Sequence, residues 1–409
     1  MLKYLRLCLY LSLLFLLLTT CDLFDSSEPK PVPPGYQYDI PWPSLADSPW
    51  PMNHGDPQST GTSKYSGPQI GNLILRIPAN QIETGIAIGK DSAIYYASSS
   101  PGYLYSVGYN GNENWKILIG NTIQSTPMID SRGIIYVSSG LNKVLAVNPS
   151  GDVKWEYICN DFIVSLSFNI GIDGNIFFVD QSSTLNVIDS SGLLQWQLND
   201  PRILTTSDNA PVFSPDGNTL YLQGLDVNIL AVDIETKSIK WSFGNDRLLS
   251  SPLVDAQGNI YFETFRNPQL QAIFYCLNPN GGKEWTFSHY STNTSIGNIE
   301  PTIDRNGNLY FGYDSLYSLT NSGSIRWRKA LPHDFLIVSP LVCDVNGNIY
   351  LGLCKDIYDI GFASYSTNGD EIWKIFIQDE RLPGASPGIS ENGLLFFPTF
   401  RSNHILVLK

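Results

Sequence analysis

Four histidines, His54, His289, His333 and His404, are the first place to look for chemistry in this chain of 409 residues. They are far apart in sequence, and none has the spacing of a metal ligand pair. His333-Asp334 has the composition of a base beside an orienting carboxylate, yet a pair of this kind in a connecting loop reads as solvated. Neither a Gly-x-Ser-x-Gly elbow nor a glycine-rich phosphate loop occurs. Cys159, Cys276, Cys343 and Cys354 are scattered without a Cys-x-x-Cys pair, and read as isolated buried thiols, a Cys343–Cys354 bridge being the alternative. Asp304-Arg305-Asn306-Gly307-Asn308 and Asp344-Val345-Asn346-Gly347-Asn348 begin like calcium loops. Tyr313 and Leu353 stand where the obligatory Glu should be, so both runs read as turns. No catalytic residue, metal ligand or cofactor is expected.

Binding chemistry is easier to place. Arg202 follows Asp200, Arg247 follows Asp246, and Arg381 closes Asp379-Glu380-Arg381; Thr264-Phe265-Arg266 is echoed by Thr399-Phe400-Arg401. Arginine beside an aromatic, on loops held by a rigid scaffold, suits protein recognition. His333, Asp334 and Glu300, which precedes Pro301 at the expected channel mouth, complete the candidate set. The competing reading is a series of exposed ion pairs that contribute little.

The elements that carry these loops follow from tryptophan spacing. Seven of nine tryptophans, Trp115, Trp155, Trp196, Trp241, Trp285, Trp327 and Trp373, recur every 40 to 46 residues, a repeat architecture. Each unit holds four short β-rich segments without helical periodicity, as in Met128-Ile129, Ile134-Ile135-Tyr136-Val137, Val144-Leu145-Ala146-Val147 and Val153-Lys154-Trp155. A glycine stands four residues before every repeat tryptophan except Trp241, where Lys237 replaces it. Such a glycine supplies the positive φ of the last hairpin, and the indole then packs between neighbouring sheets.

Pro127, Pro211, Pro252, Pro301, Pro340 and Pro387 fall in the first segment of their units, which suits an innermost strand paired on one side only and lining a channel. The last unit lacks its fourth strand, and Gly71-Asn72-Leu73-Ile74-Leu75 has the missing spacing. The expected fold is all-β: an eight-bladed β-propeller with four-stranded blades, its ring closed by the N-terminal strand. Low charge and 60 Gly plus Pro residues agree with many short strands and tight turns.

Thirty-eight acidic against 25 basic residues give a net charge of −13, which removes the footing a nucleic-acid surface needs. Lys3 and Arg6, the apolar run Leu7 to Leu18, and Thr19-Thr20-Cys21 form an expected secretory signal over residues 1–21. Leu18-Thr19-Thr20-Cys21 resembles a bacterial lipobox, with Cys21 as the lipidated residue and Thr20 departing from the usual small residue. An ordinary cleaved signal is the alternative. Residues 22–49, rich in Pro and Ser, read as a tether, and 50–409 as the propeller. Without residues 1–21 the balance is 23 basic against 38 acidic residues, so acyl chains rather than surface charge would hold the body to a membrane.

Over residues 50–409 the sequence resembles the PQQ-like β-propeller repeat family. Ala231-Val232-Asp233-Ile234-Glu235-Thr236-Lys237-Ser238-Ile239-Lys240-Trp241 matches that family's Ala-x-Asp-x-x-Thr-Gly-x-x-x-Trp motif in all but the Gly, and Trp50-Pro51-Met52, Asp56 and Thr60-Gly61 resemble its lead-in to the first blade. The resemblance implies one of two activities. The family's quinoprotein dehydrogenases hold a quinone and calcium and carry adjacent cysteines, which this chain lacks. Its other branch, which includes the lipoprotein of the outer-membrane β-barrel assembly machinery, is lipid-anchored and non-catalytic. The sequence therefore points to an exported, lipid-anchored scaffold for protein partners in a bacterial envelope, in the outer membrane or periplasm. Rival expectations are a quinone-binding oxidoreductase and a carbohydrate-binding or cell-surface-binding module.

Overall fold

The computed structural model describes residue 37 and residues 39–409, except 83, 99–100, 121–124, 140–141, 164–167, 205–209, 246, 249, 267–270, 291–298, 332–334, 356–358, 379–384 and 400–403. The signal segment, Cys21 and residues 22–36 of the tether lie outside the described residues.

Local chemistry builds each blade from a turn. Asp304 accepts at Oδ1 from the backbone N–H of Asn306 (2.8 Å) and Asn308 (2.9 Å), and at Oδ2 from Asn308 Nδ2 and the Tyr310 hydroxyl (each 2.8 Å). The carboxylate that resembled a calcium ligand is thus consumed in joining the first strand of its blade to the second, as are those of Asp255 and Asp344. Tyr310 then meets Trp327 on the outer strand of the same sheet, ring centroids 5.8 Å apart. Trp327 donates its Nε1–H to the Thr367 carbonyl of the next blade at 3.0 Å. Its indole lies against Gly369, where a Cβ would sit 2.8 Å from Trp327 Cδ2. So Gly151, Gly192, Gly281, Gly323 and Gly369 each receive the indole of the preceding blade rather than that of their own, while Gly111 meets Leu75 and Ile77 of the eighth blade's outer strand. Lys237, the exception, still adopts a positive φ of 56°, and its ammonium sits 5.9 Å from the Trp196 ring.

Eight antiparallel sheets result, each in the order inner strand to outer strand. Second and third strands, such as Ile135–Ser139 and Lys143–Val147, are buried almost throughout because neighbouring blades cover both faces. Outer strands such as Val153–Ile158 alternate exposed and half-buried residues, since only one face is covered. The eighth blade, Gly388–Ile389, Leu395–Pro398 and His404–Leu408, takes Leu73–Pro78 as its outer strand. Leu75 pairs with Val407 at the bulge where Trp115 pairs with Ser106 in the first blade, as the spacing predicts.

Two expectations change. The inner strands have two residues each, and the prolines precede them rather than lie in them; Pro127, for example, stands before Met128–Ile129. The free edge assigned to these strands is also occupied. Ile88, Ile129, Phe213, Val254, Ile303 and Cys343 donate their backbone N–H to carbonyls of the lead-in between Trp50 and Gly61. Proline has no N–H to give, so it stops one or two residues short. The packed body also begins before residue 50: Gln37 and residues 39–49 run as a strap across the blades, with Trp42 buried against Phe213 and bonded to the Ile170 carbonyl. The Cys343–Cys354 alternative is not met; neither cysteine is in a disulfide, and Cys343 pairs with Ile349 at one end of the strand Ile349–Cys354 while Cys354 is at the other. Burial pushes the Cys343 thiol up to about 12.

Candidate functional site

Antiparallel topology puts the turns between first and second strands, and between third and fourth, at one end of the ring. The second-to-third connections and the blade-to-blade connections share the other. This second rim is uneven. In the fifth blade Ile260–Arg266 runs seven residues, and Arg247–Leu248 adds a fifth strand beside it. The seventh blade is extended in the same way by Leu336–Ile337. Between them the matching strand of the sixth blade, Leu309–Gly312, has four residues. The difference is three residues against the fifth blade and two against Ile349–Cys354 of the seventh, steps of about 10 and about 7 Å, so the rim dips at the sixth blade between its two neighbours.

The candidate residues divide across this rim. Arg247 pairs in register with Phe265, so the backbone brings Arg247 and Arg266 to the same end of the fifth blade. Arg202, exposed, makes a two-pronged contact with Asp200 in its own turn, Nε to Oδ1 at 2.9 Å and a second nitrogen to Oδ2 at 2.8 Å. That guanidinium holds the Asp200 carboxyl below its ordinary value. Leu225, exposed, donates its N–H to the Arg202 carbonyl at 2.6 Å, which sets an apolar side chain next to the arginine. Ile158 and Phe162 are exposed on the same rim. Sequence reasoning missed these three because a lone apolar loop residue carries no pattern. His333, Asp334, Arg381 and Arg401 lie outside the described residues.

Glu300 belongs elsewhere. It is buried at the head of the sixth inner strand, takes a hydrogen bond at Oε1 from Ser251 (2.7 Å), and its Oε2 lies 3.9 Å from Nδ1 of His54. His54 is fully buried in the lead-in, with Nδ1 2.9 Å from the Ser59 carbonyl and Nε2 2.8 Å from that of Leu341. An imidazole between two carbonyl oxygens donates from both nitrogens when it carries both protons, and the Glu300 carboxyl lies beside it. Asp56, two residues on, accepts from the backbone of Gln58 and Thr60 and from the Thr60 hydroxyl; burial pushes its carboxyl up. A second buried pair, His289 Nε2 with Glu263 Oε1 at 2.5 Å, packs His289 against Tyr317 between the fifth and sixth blades. Both pairs are enclosed, without the open reacting position that catalysis needs.

The opposite face holds a cavity of about 900 Å³ between strap and turns, lined by Asp39, Trp42, Asp56, Lys64, Asp130 and Arg305 among others. Its charges are mostly paired within the wall: Arg305 with Asp39 at 3.0 Å, Arg132 with Asp130 at 2.5 Å. Among the described residues no group of three His, Cys, Asp or Glu side chains is placed to hold a metal ion.

Comparison with known proteins agrees with this architecture. Residues 100–273, less than half the chain, match the family model described as outer membrane protein assembly factor BamB. No curated protein matches. The crystal structure of BamB from Moraxella catarrhalis superposes with a TM-score of 0.62 at 16% identity, covering 83% of this chain and 98% of that one. The Dos1 propeller superposes with a TM-score of 0.60 at 10% identity, covering 84% and 94%. The chain is an eight-bladed β-propeller whose fold is similar to that of BamB, and its residues 100–273 resemble the BamB family model.

Proposed function

We propose that this propeller is a non-catalytic scaffold for protein partners in a bacterial cell envelope, exported through residues 1–21 and held to a membrane by a lipid on Cys21. The observation that carries the scaffold reading is the ring itself. Its titratable pairs are enclosed, its axis is filled by its own chain, and its irregularity is concentrated on one rim. The similarity to BamB, whose description is an outer membrane assembly factor, supports the envelope setting.

The rim with the dip at the sixth blade is the contact face in this reading. Arg202 with Leu225 supplies arginine beside apolar surface on a rigid support, and the backbone brings positions 247 and 266 to the end of the taller fifth blade. His333, Asp334, Arg381 and Arg401 remain candidates from the sequence alone. Glu300 acts from below, holding the inner strands rather than touching a partner. Purified protein incubated with pyrroloquinoline quinone, calcium and an artificial electron-accepting dye should reduce no dye over a range of alcohols and sugars. Quinone-dependent reduction would overturn the scaffold reading.

A further inference from the structure

The strongest feature outside the proposed contact face is the chain that fills the axis. Thirteen residues, 50–62, touch the inner strands of all eight blades, which only a segment inside the ring can do. The contacts follow blade order. Trp50 accepts from Ile88 in the first blade (2.6 Å), Pro51 from Ile129 in the second (2.9 Å), and Pro57 from Asn169 Nδ2 in the third (3.0 Å) and from Phe213 in the fourth (2.9 Å). Gln58 then accepts from Val254 in the fifth (2.9 Å), Thr60 from Ile303 in the sixth (3.3 Å), and Gly61 from Cys343 in the seventh (2.8 Å). In the eighth, Gly388 lies under the Trp50 indole, where a Cβ would come within 3.1 Å of Cδ1.

Six inner strands therefore present backbone donors around the axis, and the carbonyls of one compact, turn-rich segment, folded on itself through Gly55 to Met52, Ser59 to Asp56 and Gly61 to His54, satisfy them. Unpaired, these buried N–H groups would each be costly. One cluster pins the segment. His54 meets the carbonyl of Leu341 at the seventh blade, and its neighbour Glu300 belongs to the sixth and is bonded to Ser251 of the fifth. Gly61 permits this closure: its φ is +65°, and a Cβ there would lie 2.4 Å from His54 Nε2.

We infer that the inner strands form an axial binding site for a peptide segment folded into turns and that residues 50–62 are its resident occupant, locked by His54 and Glu300. The site recognises a chain by its carbonyl row, and it is closed to cofactors while the occupant stays. The segment continues through the strap toward the tether, so the ring and its N-terminal lead form one cooperative unit.

The test uses the mature full-length chain with a specific protease site inserted between the exposed residues Gln69 and Ile70. After cleavage the N-terminal fragment should co-elute with the ring, and a labelled synthetic peptide of residues 48–63 should enter only as the fragment leaves. Introducing His54→Leu or Glu300→Gln into the cleaved protein should speed fragment loss about tenfold or more, the loss of one charge-assisted hydrogen-bonded group. The peptide carrying Gly61→Ala should not enter. If the near-UV circular dichroism of the ring collapses in step with fragment loss, that too supports an integral occupant. Departure of the fragment in native buffer, with the ring signal unchanged and no uptake of the peptide, would overturn the inference.

Discussion

Gly369 shows at one position how a residue sets the geometry between blades. Its φ of +81° and the indole of Trp327 leave no room for a side chain, so Gly369→Ala should cost on the order of 1–3 kcal/mol, read as a lower urea midpoint. Lys237 occupies the equivalent place with a side chain. Relief of its backbone in Lys237→Gly is worth about 1 kcal/mol, while loss of its cation–π contact with Trp196 costs about 0.5 kcal/mol, and the freer unfolded chain takes back most of the rest. The midpoint should therefore barely move; a gain as large as the Gly369→Ala loss would contradict this assignment. Buried thiols give a residue-scale titration. Burial pushes Cys276 and Cys343 up to about 12 and Cys159 up to about 11, from an ordinary value of 9.0. Above pH 9 the unfolded chain loses these protons first, so the folded state binds more protons and stability falls as pH rises from about 9 to 12. Tyr136, Tyr310 and Tyr350, raised by burial, act with the same sign. A flat urea midpoint from pH 8 to 11 would refute this. Tryptophan and glycine were the residues most legible in the sequence, because each recurs in all but one of the blades for the same reason.

At the scale of elements, legibility depended on repetition. The Asp-x-x-Gly-Asn turns and the buried second and third strands could be read because the same contacts recur in neighbouring blades. The lead-in could not. Its partners are spread over all eight blades, from Ile88 to Gly388, and a segment bonded through its carbonyls imposes no side-chain period. Its motif of Trp50, Asp56, Thr60 and Gly61 was visible, but not its place inside the ring. Likewise the added strands Arg247–Leu248 and Leu336–Ile337 look like ordinary connections, being two residues long. The strap offers a separable test. Trp42→Ala removes the stack on Phe213 and the bond to Ile170, and should expose residues 39–49 to limited proteolysis while the near-UV signal of the blades persists. Cleavage unchanged from the parent, or loss of the whole signal, would show that the strap is not held as described.

For the whole molecule, the period of tryptophans dictated eight blades and a ring closed by residues near both ends, and the pairing of Leu73–Pro78 with His404–Leu408 realises it. A repeat reveals what the blades share; a contact face is made of what they do not share, which is why the dip at the sixth blade and the exposed Phe162 and Leu225 were not foreseen. The central claim is that this uneven rim, and not the turn face, meets a protein partner in the envelope. A photo-crosslinking amino acid placed in living cells at Ile158, Phe162 and Leu225, and separately at Asn110, Asn280 and Asn368 on the turn face, tests it most directly. The account predicts discrete adducts with an envelope protein from the first set and none from the second. Adducts confined to the turn-face positions, or none from either face, would contradict it.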